Sequence, residues 1–194
     1  MLFRSTIRLA QEQGFPLWVA YSAILRGWAL AHQGQVQAGV EQINQGLRAF
    51  RAIGAELWRP YLLALLAEAH GTMGQPDEGL TELNEALALV DQREERWYEP
   101  ELYRLKCELL LQQSSDNQAE AETCFTQAIA IAQKQSAKSL ELRAATSHAR
   151  LWQQQDKRQE AYDLLEPVYH WFTEGFDTAD LKDAKVLLDE LERQ

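Results

Sequence analysis

The sequence predicts an all-α protein, a solenoid built from helix-turn-helix repeats. Ten Gly and five Pro in 194 residues are about 8%, against about 12% in average usage, so turn formers are too few for a sandwich of many short strands. Apolar runs of helical length recur every forty residues, which is the signature of a repeat architecture. Hydrophobic residues make up 46% and charged residues 25% of the chain, which argues against disorder.

An aromatic signature marks the first helix in the first three repeats. Trp18 recurs as Trp58 and, loosely, as Trp97, and an apolar run follows each. The turns predicted at residues 32–35 and 73–76 contain Gly, which suits a helix C-terminus, and the second also contains Pro, which suits the start of the next helix. The predicted divisions are residues 1–14, a partial N-terminal repeat helix; 15–54, repeat 1; 55–94, repeat 2; 95–136, repeat 3; 137–176, repeat 4; and 177–194, a C-terminal capping helix.

The second helix of each repeat has small, large and small residues at offsets of 0, 4 and 7 positions. Gly inside a helix costs about 1 kcal/mol relative to Ala, so Gly39, Gly46 and Gly79 need an offsetting gain. Close approach of the partner helix supplies that gain, because a missing side chain lets the two backbones come nearer. The signature positions are Gly39, Ile43 and Gly46; Gly79, Leu83 and Ala86; Ala121, Phe125 and Ala128; and Ala161, Leu165 and Val168.

The two ends of the chain are predicted to be single helices. Residues 3–13 look like the second helix of a repeat that lacks its first helix, which indicates a piece of a longer protein. Residues 177–194 place their apolar side chains on one stripe, and such a helix commonly covers the last repeat of a solenoid. The alternative is a dimerising helix that self-associates through Leu181, Leu188 and Leu191.

This pattern resembles the tetratricopeptide repeat family, whose unit has small residues at its eighth, twentieth and twenty-seventh positions and large residues at its eleventh and twenty-fourth. In the first repeat these positions hold Gly27, Leu30, Gly39, Ile43 and Gly46. Two departures are the period of about forty rather than thirty-four residues and the missing Trp at the fourth position. The resemblance implies a right-handed α-solenoid of tetratricopeptide-like helix-turn-helix repeats whose first helices line a concave groove.

Short phrases extend the resemblance over nearly the whole chain. Residues 14–18, 26–31, 54–60, 95–98 and 171–178 are similar to the C-terminal helical region of large bacterial signalling proteins. Those proteins join an adenylate/guanylate cyclase domain or a DNA-binding domain to a predicted signal-transduction ATPase and then to such repeats. The resemblance implies a regulatory appendage, and the catalytic activity belongs to the other domains.

Composition and motifs argue against several functions. A formal charge of −10 disfavours nucleic-acid binding. This argument is weakest for segment 134–158, which contains six basic residues and two acidic ones. Cys107 and Cys124 imply no disulfide framework, and no apolar run reaches the roughly 18 residues of a membrane span. The expected location is the cytoplasm. No phosphate loop, nucleophile elbow or metal-ligand spacing occurs, so we expect no catalysis, cofactor or metal.

The remaining candidate site is the groove that the resemblance implies. Its mapped surface runs from aromatic through acidic to basic, with Trp28 and Tyr61 as anchors and Arg143 and Arg150 for carboxylates. The alternative is that the aromatic residues seal adjacent repeats. Glu68 and Glu108 stand where the family's carboxylate clamp for chaperone tails has Asn and Lys, which disfavours that function. The predicted partner-binding residues are Tyr21, Trp28, Tyr61, Glu68, Arg104, Glu108, Arg143 and Arg150.

These features predict a non-enzymatic module for protein–protein interaction and regulation, the C-terminal repeat segment of a larger bacterial signalling ATPase/cyclase or transcriptional regulator. Its expected partner is a peptide or protein domain, including the ATPase or output domains of the same polypeptide, and neither nucleic acid nor a membrane. Two alternatives are a small-ligand sensor whose groove closes on a metabolite and a self-assembly module that forms a homodimer through the last helix.

Overall fold

The computed structural model describes residues 2–192, which contain ten α-helices and no strand. They form two compact units, residues 2–96 and 97–192, and each predicted repeat range holds one helix pair. The first unit contains α1 (Leu2–Glu12), α2 (Pro16–His32), α3 (Val36–Ala52), α4 (Arg59–Thr72) and α5 (Pro76–Arg93). The second contains α6 (Glu99–Gln113), a short 3-10 helix (Ser115–Asn117), α7 (Gln118–Lys134), α8 (Lys138–Gln154), α9 (Arg158–Tyr169) and α10 (Ala179–Glu192).

Proline marks the start of four helices. Pro16 and Pro76 are the first residues of α2 and α5, and Pro60 and Pro100 are the second residues of α4 and α6. The proline ring fixes φ at about −65°, and the N–H that it lacks would have no partner inside the helix at these positions. None of these four helices has a side-chain N-cap, so proline is the local signal that begins them.

Residues in the left-handed conformation end most of the helices. At the end of α2, the Gly34 N–H donates to the Ala31 carbonyl at 3.0 Å and the Gln35 N–H donates to the Leu30 carbonyl at 3.0 Å. These bonds satisfy carbonyls that the helix itself leaves open. The left-handed residues that follow helices are Gly14, Gly34, Gly54, Gly74 and Glu94 in the first unit and Ser136 and Asp156 in the second. The left-handed residue after a helix is therefore glycine in most cases in the first unit, whereas in the second unit it is a residue that carries a Cβ.

Glycine also lets α2 and α3 approach closely. A Cβ on Gly39 would lie 2.6 Å from the Gly27 carbonyl oxygen, and a Cβ on Gly46 would lie 2.5 Å from the Ile24 side chain. Both distances are too short for a real side chain, which confirms the close approach predicted for Gly39 and Gly46. Ile24 and Ile43 are fully buried between the two helices, and burial of each stabilises the pair by about 2 kcal/mol.

The last helix, α10, packs beside α8 and α9 in the second unit. Its Leu181, Leu188 and Leu191 are 4%, 4% and 7% exposed and share one apolar cluster with Leu142. Because this stripe is buried inside the unit, the three leucines form no exposed dimer surface, which corrects the self-assembly alternative for those side chains. The exposed side of α10 carries charged residues and Val186.

Candidate functional site

Four of the predicted groove residues, Tyr21 and Trp28 of α2 with Tyr61 and Glu68 of α4, lie in the first unit; we call them the aromatic face. Residues 62–67 of α4 are all buried, because α4 packs against α2, α3 and α5. Tyr61 and Glu68, seven residues apart on either side of this run, are half-buried, as are Tyr21 and Trp28. The core of α4 thus holds the aromatic face in position and leaves part of each of its side chains open to solvent.

A hydrogen bond joins Trp28 to Glu68. The Trp28 indole Nε1 donates to Glu68 Oε2 at 2.6 Å. The His32 ring centroid lies 4.2 Å from that of Trp28, and its Nε2 is 3.6 Å from the same Glu68 oxygen, which is too long for a hydrogen bond. No group in the described part of the chain donates to the other oxygen, Glu68 Oε1. The carboxylate is therefore held through one oxygen, while its other oxygen accepts no hydrogen bond within residues 2–192.

The two tyrosines continue the aromatic face towards the start of α4. The Tyr21 ring centroid lies 5.3 Å from that of Trp58 and 5.9 Å from that of Trp18. Burial raises the pKa of Tyr61, and Tyr21 and the Glu68 carboxylate raise it further. Trp18 remains 46% exposed. The sequence left open whether these aromatic residues pack or bind; they pack against one another and still keep accessible surface.

The other four predicted residues lie in the second unit: Arg104 and Glu108 of α6 with Arg143 and Arg150 of α8. Together with Glu101 of α6 we call them the ionic face. Glu101 is 2% exposed and accepts hydrogen bonds from Arg104 Nε at 2.9 Å and Nη2 at 2.8 Å and from Arg143 Nη1 at 2.8 Å. Arg104 Nη1 also donates to Glu108 Oε1 at 2.5 Å. These charge-assisted bonds offset the penalty of burying Glu101.

Helix α10 supplies further carboxylates to the ionic face. Arg143 Nε lies 3.3 Å from Asp180 Oδ2, and Arg150 Nη2 donates to the Asp183 carboxylate. Burial acts to lower the pKa of Arg143, but Glu101 and Asp180 outweigh it and raise that pKa above its ordinary value. Both arginines that the sequence assigned to a partner's carboxylates are thus paired within the unit. A polar cavity of about 130 Å³ is lined by Arg104, Glu108, Arg143, Thr146, Ser147, Arg150, Asp180 and Asp183.

Some neighbours of the site were not among the predicted residues. The pairing of Glu101 and Glu108 with Arg104 has a sequence signal, since residues three and four apart on a helix are neighbours. His32 likewise follows Trp28 by four residues, and its ring packs against the Trp28 ring in a tilted arrangement. No comparable signal connects Asp183 with α8, because that contact joins residues 33 positions apart.

The second unit also buries a histidine. His148 is 3% exposed, its ring stacks on Phe125 with centroids 5.5 Å apart, and the Trp152 ring lies 4.1 Å away. Neither ring nitrogen has a hydrogen-bond partner within residues 2–192. Burial lowers the pKa of His148 to about 4, although the Glu122 carboxylate acts in the opposite direction. The fold therefore holds His148 neutral near pH 7.

The two cysteines lie close together between α6 and α7. Cys107 Sγ donates to the Tyr103 carbonyl at 2.8 Å, and Cys124 Sγ lies 3.4 Å from the same oxygen. Burial raises the pKa of Cys107, which keeps this thiol protonated. Within the described residues no three His, Cys, Asp or Glu side chains form a metal-binding group, and no helix of residues 2–192 is long and apolar enough to cross a membrane.

Comparison with known proteins by sequence gives a relative of low identity. No family model matches the sequence. An uncharacterized protein of Rhizobium meliloti (strain 1021) is 28% identical over 127 residues, which cover 65% of this chain and 12% of that protein. The chain therefore corresponds to a small part of that relative.

Two solved structures are similar over most of the chain. One is a Podosopora anserina chain described as a kinesin light chain with nearly identical TPR-like repeats; its TM-score is 0.64 at 23% identity, over 88% of this chain and 84% of that one. A variant of the same Podosopora anserina protein gives a TM-score of 0.61 at 22% identity, over 86% of this chain and 82% of that one. At this identity the likeness shows the fold alone. The chain has the all-α architecture of TPR-like repeat solenoids, which confirms the predicted fold class.

Proposed function

We propose that the chain is a protein–protein interaction module that binds a peptide or protein domain through the aromatic face. The observation that carries this proposal is the half-exposed set Tyr21, Trp28 and Tyr61 around one carboxylate, Glu68. Large aromatic side chains are enriched among the residues that dominate binding energy, and truncating one such anchor commonly costs about 2 kcal/mol or more. Their packing against neighbouring rings supports the proposal, because little side-chain freedom remains to be lost on binding.

The ionic face is the less favoured binding surface. A partner carboxylate would have to displace the buried Glu101 from Arg104 and Arg143, or Asp183 from the exposed Arg150. Displacing Glu101 leaves an uncompensated buried charge, which costs several kcal/mol, whereas the exposed pair with Arg150 exchanges one carboxylate for another and is worth only about 0–1 kcal/mol. The exchange therefore gives little net gain, and we assign this face to the internal stability of the second unit.

A peptide library tests the proposal. Random peptides displayed on phage are selected on the intact chain, and enriched peptides are measured against Trp28→Ala and, as the control, Arg150→Gln. We expect Trp28→Ala to weaken binding by about tenfold or more, which corresponds to about 1.4 kcal/mol, and Arg150→Gln to leave it within about twofold. Failure to enrich any peptide, or the reverse pattern between the two variants, would reject the aromatic face as the binding site.

The proposal extends to a non-enzymatic, regulatory role at the C-terminal end of a larger bacterial signalling ATPase/cyclase or transcriptional regulator. Its support is the phrase-level resemblance together with the match to a small part of a much longer bacterial protein. A partner bound to α2 and α4 would favour one arrangement of these helices and so bias an attached domain. Reading the gene upstream of the codon for Met1 tests this role: a frame that continues into an ATPase supports it, and an unrelated domain or a stop codon counts against it.

A further inference from the structure

We infer that the aromatic face recognises a basic side chain, Lys or Arg, of its partner, with Glu68 as the counter-charge and Trp28 beside it. This inference deepens the proposed function and rests on it. Glu68 Oε2 already accepts the Trp28 indole N–H at 2.6 Å, so the carboxylate has a fixed orientation. Its second oxygen accepts no hydrogen bond from residues 2–192. A carboxylate oxygen can accept further bonds, and a partner's ammonium or guanidinium would supply them.

The charge of Glu68 is not neutralised by Lys or Arg within the described residues. Its nearest charged or chargeable neighbour is the His32 imidazole, whose Nε2 is 3.6 Å from Oε2. By contrast, Glu85 in the same unit bonds to Arg51 at 3.1 Å and also to Arg59. The Glu68 side chain is only 28% exposed, so solvent screens it less than it screens a surface carboxylate. An incoming cation gains more here than at an exposed ion pair.

The surrounding rings favour a cation for a second reason. The faces of Trp and Tyr rings carry negative potential, and a cation within about 6 Å of a ring centroid is attracted to it, most strongly by Trp. The Trp28 indole is hydrogen-bonded to the Glu68 carboxylate, so a cation held at this carboxylate would lie beside the Trp28 ring. The aliphatic stem of Lys or Arg would cover the apolar parts of these rings while the charged head reaches Glu68. A carboxylate in the same place would meet Glu68 as a like charge.

The Trp28 indole N–H gives a direct readout in solution. Its proton–nitrogen NMR signal, one of six tryptophan indoles, is identified by its loss in Trp28→Phe. Four capped tripeptides, acetyl-Gly-X-Gly-amide with X as Lys, Arg, norleucine or Glu, are added to the intact chain. We expect the Lys and Arg peptides to shift this signal saturably, at least fivefold more tightly than the norleucine peptide, and the Glu peptide to leave it unchanged.

Two variants and a change of salt concentration test whether the carboxylate is responsible. Glu68→Gln keeps the size of the side chain and should weaken the Lys and Arg peptides at least fivefold. The matched change Glu41→Gln, at an exposed position of α3, should leave them within about 1.5-fold. Raising the salt concentration from 50 mM to 500 mM should weaken the two basic peptides and not the norleucine peptide.

Equal binding of the norleucine and Lys peptides to the wild-type chain would overturn the inference, as would an unchanged affinity in Glu68→Gln. Neither result would contradict the proposed function, which is tested separately and fails if Trp28→Ala does not weaken the binding of the library peptides. If those peptides depend on Trp28 but show no preference for Lys or Arg, the aromatic face binds its partner through apolar contact and the inference is wrong.

Discussion

Glu68 in the first unit and Glu108 in the second lie forty residues apart, at the same place in their helices, yet their carboxylates have different partners. Within residues 2–192 the Glu68 carboxylate accepts one hydrogen bond, from the Trp28 indole. Glu108 accepts from Arg104 at 2.5 Å and from Ser147 Oγ at 2.8 Å. The repeat therefore determines where a side chain lies, whereas the residues of neighbouring helices decide whether it is available to a partner.

The backbones of the two units differ in a related way. The first repeat packs Gly27 of α2 against Gly39 of α3, while the fourth has the buried residues Ala149 and Ala161 at the same repeat positions. Two helices can pack against each other with either glycine or alanine at their crossing, provided that the distance between the helices leaves room for the side chain that is present. The unit that contains the Gly27–Gly39 crossing is the one that we propose to bind a partner.

The largest expected effect comes from breaking the ionic face. Arg104→Leu removes two of the three hydrogen bonds described to the buried Glu101 carboxylate and leaves the one from Arg143, and removing one partner from a buried ionic group is strongly destabilising. We expect the second unit to lose about 3 kcal/mol of unfolding free energy, measured by urea titration together with hydrogen exchange of α6 and α8.

The matched change in the first unit is Glu68→Gln, which removes a charge that has no Lys or Arg partner. We expect it to alter the unfolding free energy by less than about 1 kcal/mol. The double change Glu101→Leu with Arg104→Leu should recover much of the loss, because no buried charge is left unpaired. Equal effects of Arg104→Leu and Glu68→Gln would contradict the distinction between the two faces.

The next effect is the response of the second unit to acid. The folded pKa of His148 is about 4 and its unfolded value is about 6.5, so between these values the unfolded chain binds a proton that the folded chain does not. Stability from this group is complete above about pH 6.5 and is lost as the pH falls to about 4. We expect the free energy of unfolding of the second unit, obtained from urea titrations, to fall by about 2–3 kcal/mol between pH 7 and pH 4.

The variant that tests the cause of the acid response is His148→Leu, which keeps the site apolar and removes the titrating group. Its second unit should lose stability less steeply over the same pH range. A wild-type chain whose second unit is equally stable at pH 7 and pH 4 would show that His148 is not held neutral by the fold.

A smaller effect on stability is expected from substitutions at the helix crossings, where the first unit has Gly39 and the second has Ala161. Gly39→Ala adds a Cβ that would meet the Gly27 carbonyl at 2.6 Å, and such overpacking costs about 1–3 kcal/mol. The gain of up to about 1 kcal/mol in helix propensity offsets part of it, so we expect a net loss of about 1–2 kcal/mol in calorimetric measurements of the first unit. In the second unit Ala161→Gly should also destabilise; a stabilising Gly39→Ala would refute the close approach.

The smallest effect concerns the left-handed residues that follow helices. Ser136 and Asp156 have φ of 56° and 59°, where a Cβ costs about 1 kcal/mol, so Ser136→Gly and Asp156→Gly should each stabilise the second unit by about 0.5–1 kcal/mol. Gly34→Ala in the first unit should destabilise by a similar amount. Thermal unfolding of the three variants measures both signs, and the same sign in both units would contradict the left-handed assignment.

The repeat made much of the fold predictable. Small residues such as Gly39 and Gly46 predicted the close helix crossing, and Pro76 begins α5 as the turn at residues 73–76 predicted. These features are predictable because they act over a few residues or recur at a fixed spacing. The apolar stripe of α10 was visible as well, but its burial inside the second unit, rather than in a dimer, depended on contacts with α8 and α9.

The chemistry of the candidate site was less predictable. Spacing placed Arg143 and Arg150 on one side of α8, but their carboxylate partners come from other helices, with Glu101 42 residues from Arg143. Similarly, the spacing of Trp28 could not show that its indole N–H donates to Glu68. Side chains that are distant in sequence decide whether a charge is satisfied, and a single sequence contains no signal for such pairs.

The central claim is that a partner binds the aromatic face of the first unit and not the ionic face of the second. Hydrogen–deuterium exchange with and without the tightest library peptide tests it most directly. We expect slower exchange within residues 16–32 and 59–72 and no change within residues 99–113 and 138–154. Slower exchange confined to α6 and α8, with α2 and α4 unaffected, would contradict the claim.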